Sequence, residues 1–246
     1  MTYYTGSIAA VPTARKQEYI AHTQAAWPMF KSLGATRMIE TWGVDVPPGK
    51  HTDFQGAVEA RDDESIVFAW ITWPDRATAD AAWTAMMSEP DKFDMPEMPF
   101  DGSRMIFGSF VPVFSEGETA GKGYYQGFTL AVPEGNQQPY VEMAAQGWEM
   151  FHKRGALGMV EAWGADVPRG KKTDFYRAVK AEDGEVVVFS WCLWPDRATC
   201  EAAKSSMEAE MAGFDFSTMP FDGKRMIWGG FEPEPVITLR NSYGLG

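Results

Sequence analysis

The stretch TWGVDVPPGKHTDF at Thr41–Phe54 returns 121 positions later as AWGADVPRGKKTDF at Ala162–Phe175. At the same offset FAWITWPDRAT (Phe68–Thr78) returns as FSWCLWPDRAT (Phe189–Thr199), and MPFDGSRMIFGSF (Met98–Phe110) as MPFDGKRMIWGGF (Met219–Phe231). Tyr4 and Tyr125 also align, so the two copies need no insertion or deletion, and about half of their positions are identical. A long fixed period marks one structural unit written twice. The reading divides the chain into a first repeat at 1–114, a polar glycine-rich linker at 115–121, a second repeat at 122–236 and a tail at 237–246 without a counterpart.

Within one copy the periodicity predicts a strand over Tyr3–Val11 and a helix over Thr13–Leu33. That helix carries Ile20, Thr23, Trp27 and Phe30 on one stripe, Gly34 at its stop and a kink at Pro28. A strand over Arg37–Gly43 follows, then extended chain over Phe54–Ala60 and Ser65–Trp73. Asp75 caps a second helix to about Ser88, and Arg104–Val113 forms the last strand. The order is β-α-β-β-α-β, the ferredoxin-like arrangement of an α+β protein.

In Val67–Trp73 one face carries Val67, Ala69, Ile71 and Trp73, and the other Phe68 and Trp70, with Ile66 just before them. Neither face is polar, so both are buried. Helices cover one face, and the other copy's sheet is the economical cover for the second. The expected structure is two ferredoxin-like repeats with their sheets face to face as an intramolecular pseudo-dimeric barrel.

The 246 residues carry a net charge of −12, with 45% apolar and 23% charged residues, which fits a globular chain and argues against nucleic-acid binding. No apolar run is long enough for a membrane span, and no secretory leader is evident at the N-terminus. Cys192 and Cys200 are too few for a disulfide framework and read as reduced, buried thiols of a cytoplasmic protein, with a single bridge between them as the alternative.

The strings WG-x-DVP-x-GK-x-TDF, VVFSW-x-x-WPDRA and MPFDGKRMIWGGF resemble the YbaA-like bacterial family of unknown function, whose members are about one copy long. The resemblance spans nearly all of both copies. It implies the dimeric α+β barrel superfamily, and so the ferredoxin-like fold with face-to-face pairing, but no activity. Relatives at superfamily level include cofactor-free monooxygenases, small-ring isomerases and haem-handling enzymes, which is weak warrant for chemistry.

Glu40 and Glu161 are the most unusual residues, each mid-strand between apolar neighbours on one face (Met38 and Trp42, Met159 and Trp163). Burial raises a carboxyl pKa towards the range useful for general acid–base work. The alternative is internal pairing, with Arg104 and Arg225 as partners. Trp42 and Trp163, sharing that face, are read as lining for a flat ligand or as core. Lys50 and Lys171 lie in the Pro/Gly loops, where they attract an anion or sit in a solvated turn made by Asp53 and Asp174. The spacing from Gly43 to Gly49 and His51 after Lys50 do not fit a phosphate loop. No histidine is matched between copies (His22 aligns with Met143), so no metal site and no cofactor is expected.

The leading expectation is a monomer binding a small, partly apolar molecule in or beside the barrel, with no nucleic-acid or membrane partner. Glu40/Glu161 are the catalytic candidates, with Trp42/Trp163, Arg104/Arg225 and Lys50/Lys171 as ligand-binding candidates. One alternative is a metal-free isomerase or cofactor-free monooxygenase using a buried glutamate. The other is a closed barrel that serves only as an interaction protein.

Overall fold

The computed structural model describes all residues except 90–91, 94–96, 211–217, 235–236 and 239–246. The first repeat runs β1 (Tyr3–Pro12), α1 (Lys16–Ser32), β2 (Arg37–Asp45), α2 (Phe54–Ala57), β3 (Glu64–Trp73), α3 (Arg76–Ser88) and β4 (Ile106–Gly117). The second runs β5 (Tyr124–Pro133), α4 (Gln137–His152), β6 (Gly158–Asp166), α5 (Phe175–Ala178), β7 (Glu185–Trp194), α6 (Arg197–Glu210) and β8 (Ile227–Pro233), followed by the short β9 (Ile237–Thr238). Each repeat is an antiparallel sheet, β2-β3-β1-β4 and β6-β7-β5-β8. β4 pairs with β6 and β8 with β2, so the two sheets close into one eight-stranded antiparallel barrel. One repeat alone would leave two open strand edges, and closure removes them.

The two-faced apolar pattern of β3 resolves as expected. Ile66, Phe68 and Trp70 enter the barrel interior with Phe189 and Trp191, while Val67, Ala69, Ile71 and Trp73 pack under the helices. The interior is filled by side chains of both repeats, among them Phe54, Phe110, Phe175 and Phe231. Close rings crowd Gly6 and Gly127, where an added Cβ would stand 3.0 Å from Phe189 and 3.1 Å from Phe68, closer than ordinary van der Waals contact. Aromatic rings therefore occupy the middle of the barrel, and the space left among interior residues lies at its end, beside Tyr4, Trp70 and Trp191.

Helix stops and caps follow their residues. Gly34 and Gly155 take φ of 100° and 99° after α1 and α4, a conformation that glycine adopts without Cβ strain. The Asp75 carboxylate accepts from the Thr78 N–H at the start of α3, as its position predicts. Pro28 lies on the exposed side of α1, and the helix continues through it to Ser32. The buried stripe of α1 is Tyr19, Thr23, Ala26 and Trp27, which shares Thr23 and Trp27 with the expected one, while Ile20 and Phe30 are only half-buried.

Three expectations are corrected. Phe54–Ala60 is not extended, because Asp53 accepts from the Gly56 N–H at 2.6 Å and closes the one-turn helix α2. That turn ends with Glu59 at φ 49°, and α5 ends likewise at Lys180, φ 48°. Residues 115–117 are not linker, since Ser115, Glu116 and Gly117 extend β4 along Val160, Met159 and Gly158. The first two residues of the tail, unlike in sequence, have a structural counterpart: Ile237 and Thr238 pair with Met38 and Arg37 in the register that Glu116 and Gly117 hold against Met159 and Gly158, and the rest of the tail lies outside the described residues.

Candidate functional site

Glu40 stands mid-β2, across from Ala69 of β3, on the face that meets the helices. The buried stripe of α1 brings Tyr19 above it, and the Tyr19 hydroxyl donates to Glu40 Oε2. The second repeat repeats the pair, with the Tyr140 hydroxyl donating to Glu161 Oε2 at 2.5 Å. Burial pushes both carboxyls up to about 7; the tyrosine hydrogen bond pulls each back down, and Ser190 does so further for Glu161. The tyrosines are raised well above their ordinary range, by burial first and the adjacent carboxylate second.

The two copies differ in what surrounds the pair. Glu161 is 7% exposed and enclosed, whereas Glu40 is part of the wall of a cavity of about 280 Å³ between the sheet and helices α1 and α3. Thr5, Ser7, Tyr19, His22, Thr23 and Glu40 supply its polar groups. Met38, Trp83, Met86, Phe100, Met105 and Phe107 make most of the remaining wall apolar. Met98 and Phe107, both 44% exposed, stand at the rim. An apolar concavity with a few converging polar groups and a perturbed carboxyl is the usual form of a small-molecule site.

The other sequence candidates lie elsewhere. Arg104 and Arg225 are not the partners of the two glutamates. The Arg104 guanidinium donates to both oxygens of Glu64 at 2.6 and 2.8 Å, to Asp101 at 3.1 Å and to the Glu59 carbonyl at 2.6 Å. Arg225 makes the same set with Glu185, Asp222 and the Lys180 carbonyl. Each arginine thus holds the left-handed residue that ends α2 or α5. Trp42, 5% exposed, packs against Tyr19 at 6.2 Å with the Lys16 ammonium 5.0 Å from its ring centroid, and Trp163 packs likewise on Tyr140. Both back the tyrosines. Lys50 lines a separate groove where α2 meets α5, and Lys171 is exposed in the matching loop. Asp53 and Asp174 make the expected turn hydrogen bonds, accepting from the Gly49 and Gly170 N–H groups.

Sequence reasoning passed over Tyr19 and Tyr140, and set His22 aside. The tyrosines carried a signal, being matched at the 121-residue offset, each 21 residues before a glutamate. His22 carried none, because its counterpart is Met143. Cys192 and Cys200 are free and buried. Among the described residues, no group of three or more His, Cys, Asp or Glu side chains is placed to hold a metal ion, and no helix is long and apolar enough to cross a membrane.

Comparison with known proteins agrees with this architecture. A crystal structure of a protein from Fusobacterium nucleatum subsp. nucleatum superposes with a TM-score of 0.52 at 8% identity, over 97% of this chain and 94% of the other. An anthrone oxidase-like protein gives 0.52 at 12% identity, over 96% and 93%. At such identities the likeness is one of fold. In sequence, the chain is 50% identical over 117 residues to the Uncharacterized protein YbaA of Escherichia coli K12 and of Shigella flexneri, covering 47% of this chain and 100% of YbaA. The model of the DUF1428 family, proteins of unknown function, matches twice, at residues 2–102 and 123–223, and the chain belongs to that family as a tandem duplication.

Proposed function

We propose that the chain binds a small, mostly apolar molecule in the first-repeat cavity, with Glu40 as its polar anchor. The observation that carries this reading is the Glu40–Tyr19 pair set into the wall of an otherwise apolar space of about 280 Å³. Tyr19 holds one carboxylate oxygen, which fixes the orientation of the other lone pairs for a donor on the ligand. Trp83, Phe100 and Phe107 supply flat apolar surface.

A second reading is catalytic. A carboxyl titrating near 7 is half-ionised at neutral pH, so Glu40 is suited to take a proton from a weakly acidic O–H or C–H and return it elsewhere. That supports a metal-free isomerisation or a cofactor-free oxygenation, and the fold shared with an anthrone oxidase-like protein is analogy only.

The test is fluorescence titration with 2-naphthol, a flat apolar probe with one weakly acidic hydroxyl, beside 2-methoxynaphthalene. Saturable binding of 2-naphthol that weakens in Glu40→Ala, with weaker binding of the methyl ether, is the expected result. Absence of saturable binding, or equal binding by Glu40→Ala, refutes the reading.

A further inference from the structure

Resting on that binding reading, we infer that only the first repeat binds ligand, and that His22 Nδ1 is a second acceptor reading a second hydrogen-bond donor on it. His22 lies three residues after Tyr19 on α1, so both side chains share one helix face, and both line the cavity. Its Nδ1 is buried and has no hydrogen-bond partner among the described residues. In a neutral imidazole one ring nitrogen carries the proton and the other a lone pair, and we assign the lone pair to the partnerless Nδ1. Burial also lowers the pKa of this ring, which keeps the lone pair free. A buried acceptor without a partner is costly, so one that lines a cavity beside a carboxylate marks where a ligand donor fits.

The second repeat has the opposite arrangement at the same positions. Met143 stands for His22 and Phe128 for Ser7, and both pack into the cluster of Leu130, Tyr140 and Trp163. Ser190 stands for Ala69 and gives Glu161 a second hydrogen bond, whereas Glu40 has Tyr19 alone among the described residues. The protein itself thus gives the second glutamate a further partner, and Met143 and Phe128 put apolar bulk where the first repeat has His22 and Ser7. The ligand class is a flat apolar molecule with two separated hydroxyl or N–H donors, one for Glu40 and one for His22.

Isothermal titration of 2-naphthol and of the dihydroxynaphthalene isomers tests this on the full chain. The expected result is one equivalent per chain, with at least one diol binding about tenfold tighter than 2-naphthol, the size of one added hydrogen bond. His22→Met, which installs the second repeat's residue, removes that margin. His22→Gln, which restores a carbonyl acceptor, recovers part of it and keeps the test decisive should the Met variant fold poorly. Two equivalents per chain, no diol preferred, or a margin that survives His22→Met overturns the inference while the binding reading stands. Failure of 2-naphthol itself to bind removes both.

Discussion

The ring of Phe68 lies face to face with that of Phe189, centroids 4.2 Å apart and planes 3° from parallel, although the two residues are 121 positions apart. Each is the other's repeat counterpart. Trp70 and Trp191, also counterparts, stack beside them at 4.3 Å. The pseudo-twofold of the barrel therefore passes between identical residues, and the interior is organised around aromatic self-contact.

Gly6 and Gly127 make room for those rings. Gly6→Ala places a methyl 3.0 Å from a Phe189 ring that cannot retreat from Phe68. We expect it to cost roughly 1–3 kcal/mol in urea unfolding, as overpacking does. Gly135→Ala, which meets nothing within 4 Å, is the control and should change stability little. Phe189→Leu combined with Gly6→Ala should lose less than the sum of the two single changes.

Glu161 should make the fold less stable as pH rises. Its folded pKa is about 7 against an ordinary value near 4.5, so between those values the folded chain holds more protons than the unfolded chain. The penalty is absent below about pH 4.5, grows through the interval and is complete above about pH 7. Its upper size is on the order of 3 kcal/mol. Glu161→Gln should flatten part of that slope in denaturant titrations at pH 5 and pH 8. An unchanged slope would show that Glu161 is not desolvated.

Glu40 should titrate near pH 7 by carboxyl carbon NMR. Because the Tyr19 hydrogen bond favours the charged form, Tyr19→Phe should move the midpoint upward. A downward shift would mean that the phenol, not burial, holds the carboxyl high.

Arg104→Met should destabilise strongly. The side chains of Arg104 and Glu64 are 6% and 2% exposed, and removing the guanidinium strands a buried carboxylate. Breaking such a pair costs roughly 3–5 kcal/mol, and Arg104→Met with Glu64→Leu should recover much of it. Thermal unfolding of the single and double variants measures both. If the single change is harmless, the pair is not what secures Glu59.

The fold was legible because the repeat offset and the two-faced apolar strands are both properties of local pattern. Partner choice was not, because it depends on strand order. Glu40 is on β2, Arg104 precedes β4, and the order β2-β3-β1-β4 puts those strands at opposite edges of one sheet. Glu64, at the start of β3, lies opposite Pro12 of β1 and so within reach of an arginine just before β4. The glutamates were legible as anomalies because charge mid-strand is rare. Tyr19 was hidden because its neighbour Ile20, the more apolar of the two, was read as the first residue of a stripe that otherwise holds Thr23 and Trp27. His22 was discounted because matching between copies was taken as the signal, and that favours what the copies share over what sets them apart.

That difference follows from both sheets belonging to one polypeptide. A half-length chain that closed this barrel with a second copy of itself would carry every substitution twice, and a ring on the axis would always face its own image. Here each half is inherited as separate text. Phe68 can change while Phe189 stays, and one histidine can appear on one side of the molecule alone. Joining the halves lets one repeat specialise while the other preserves the shape that both need.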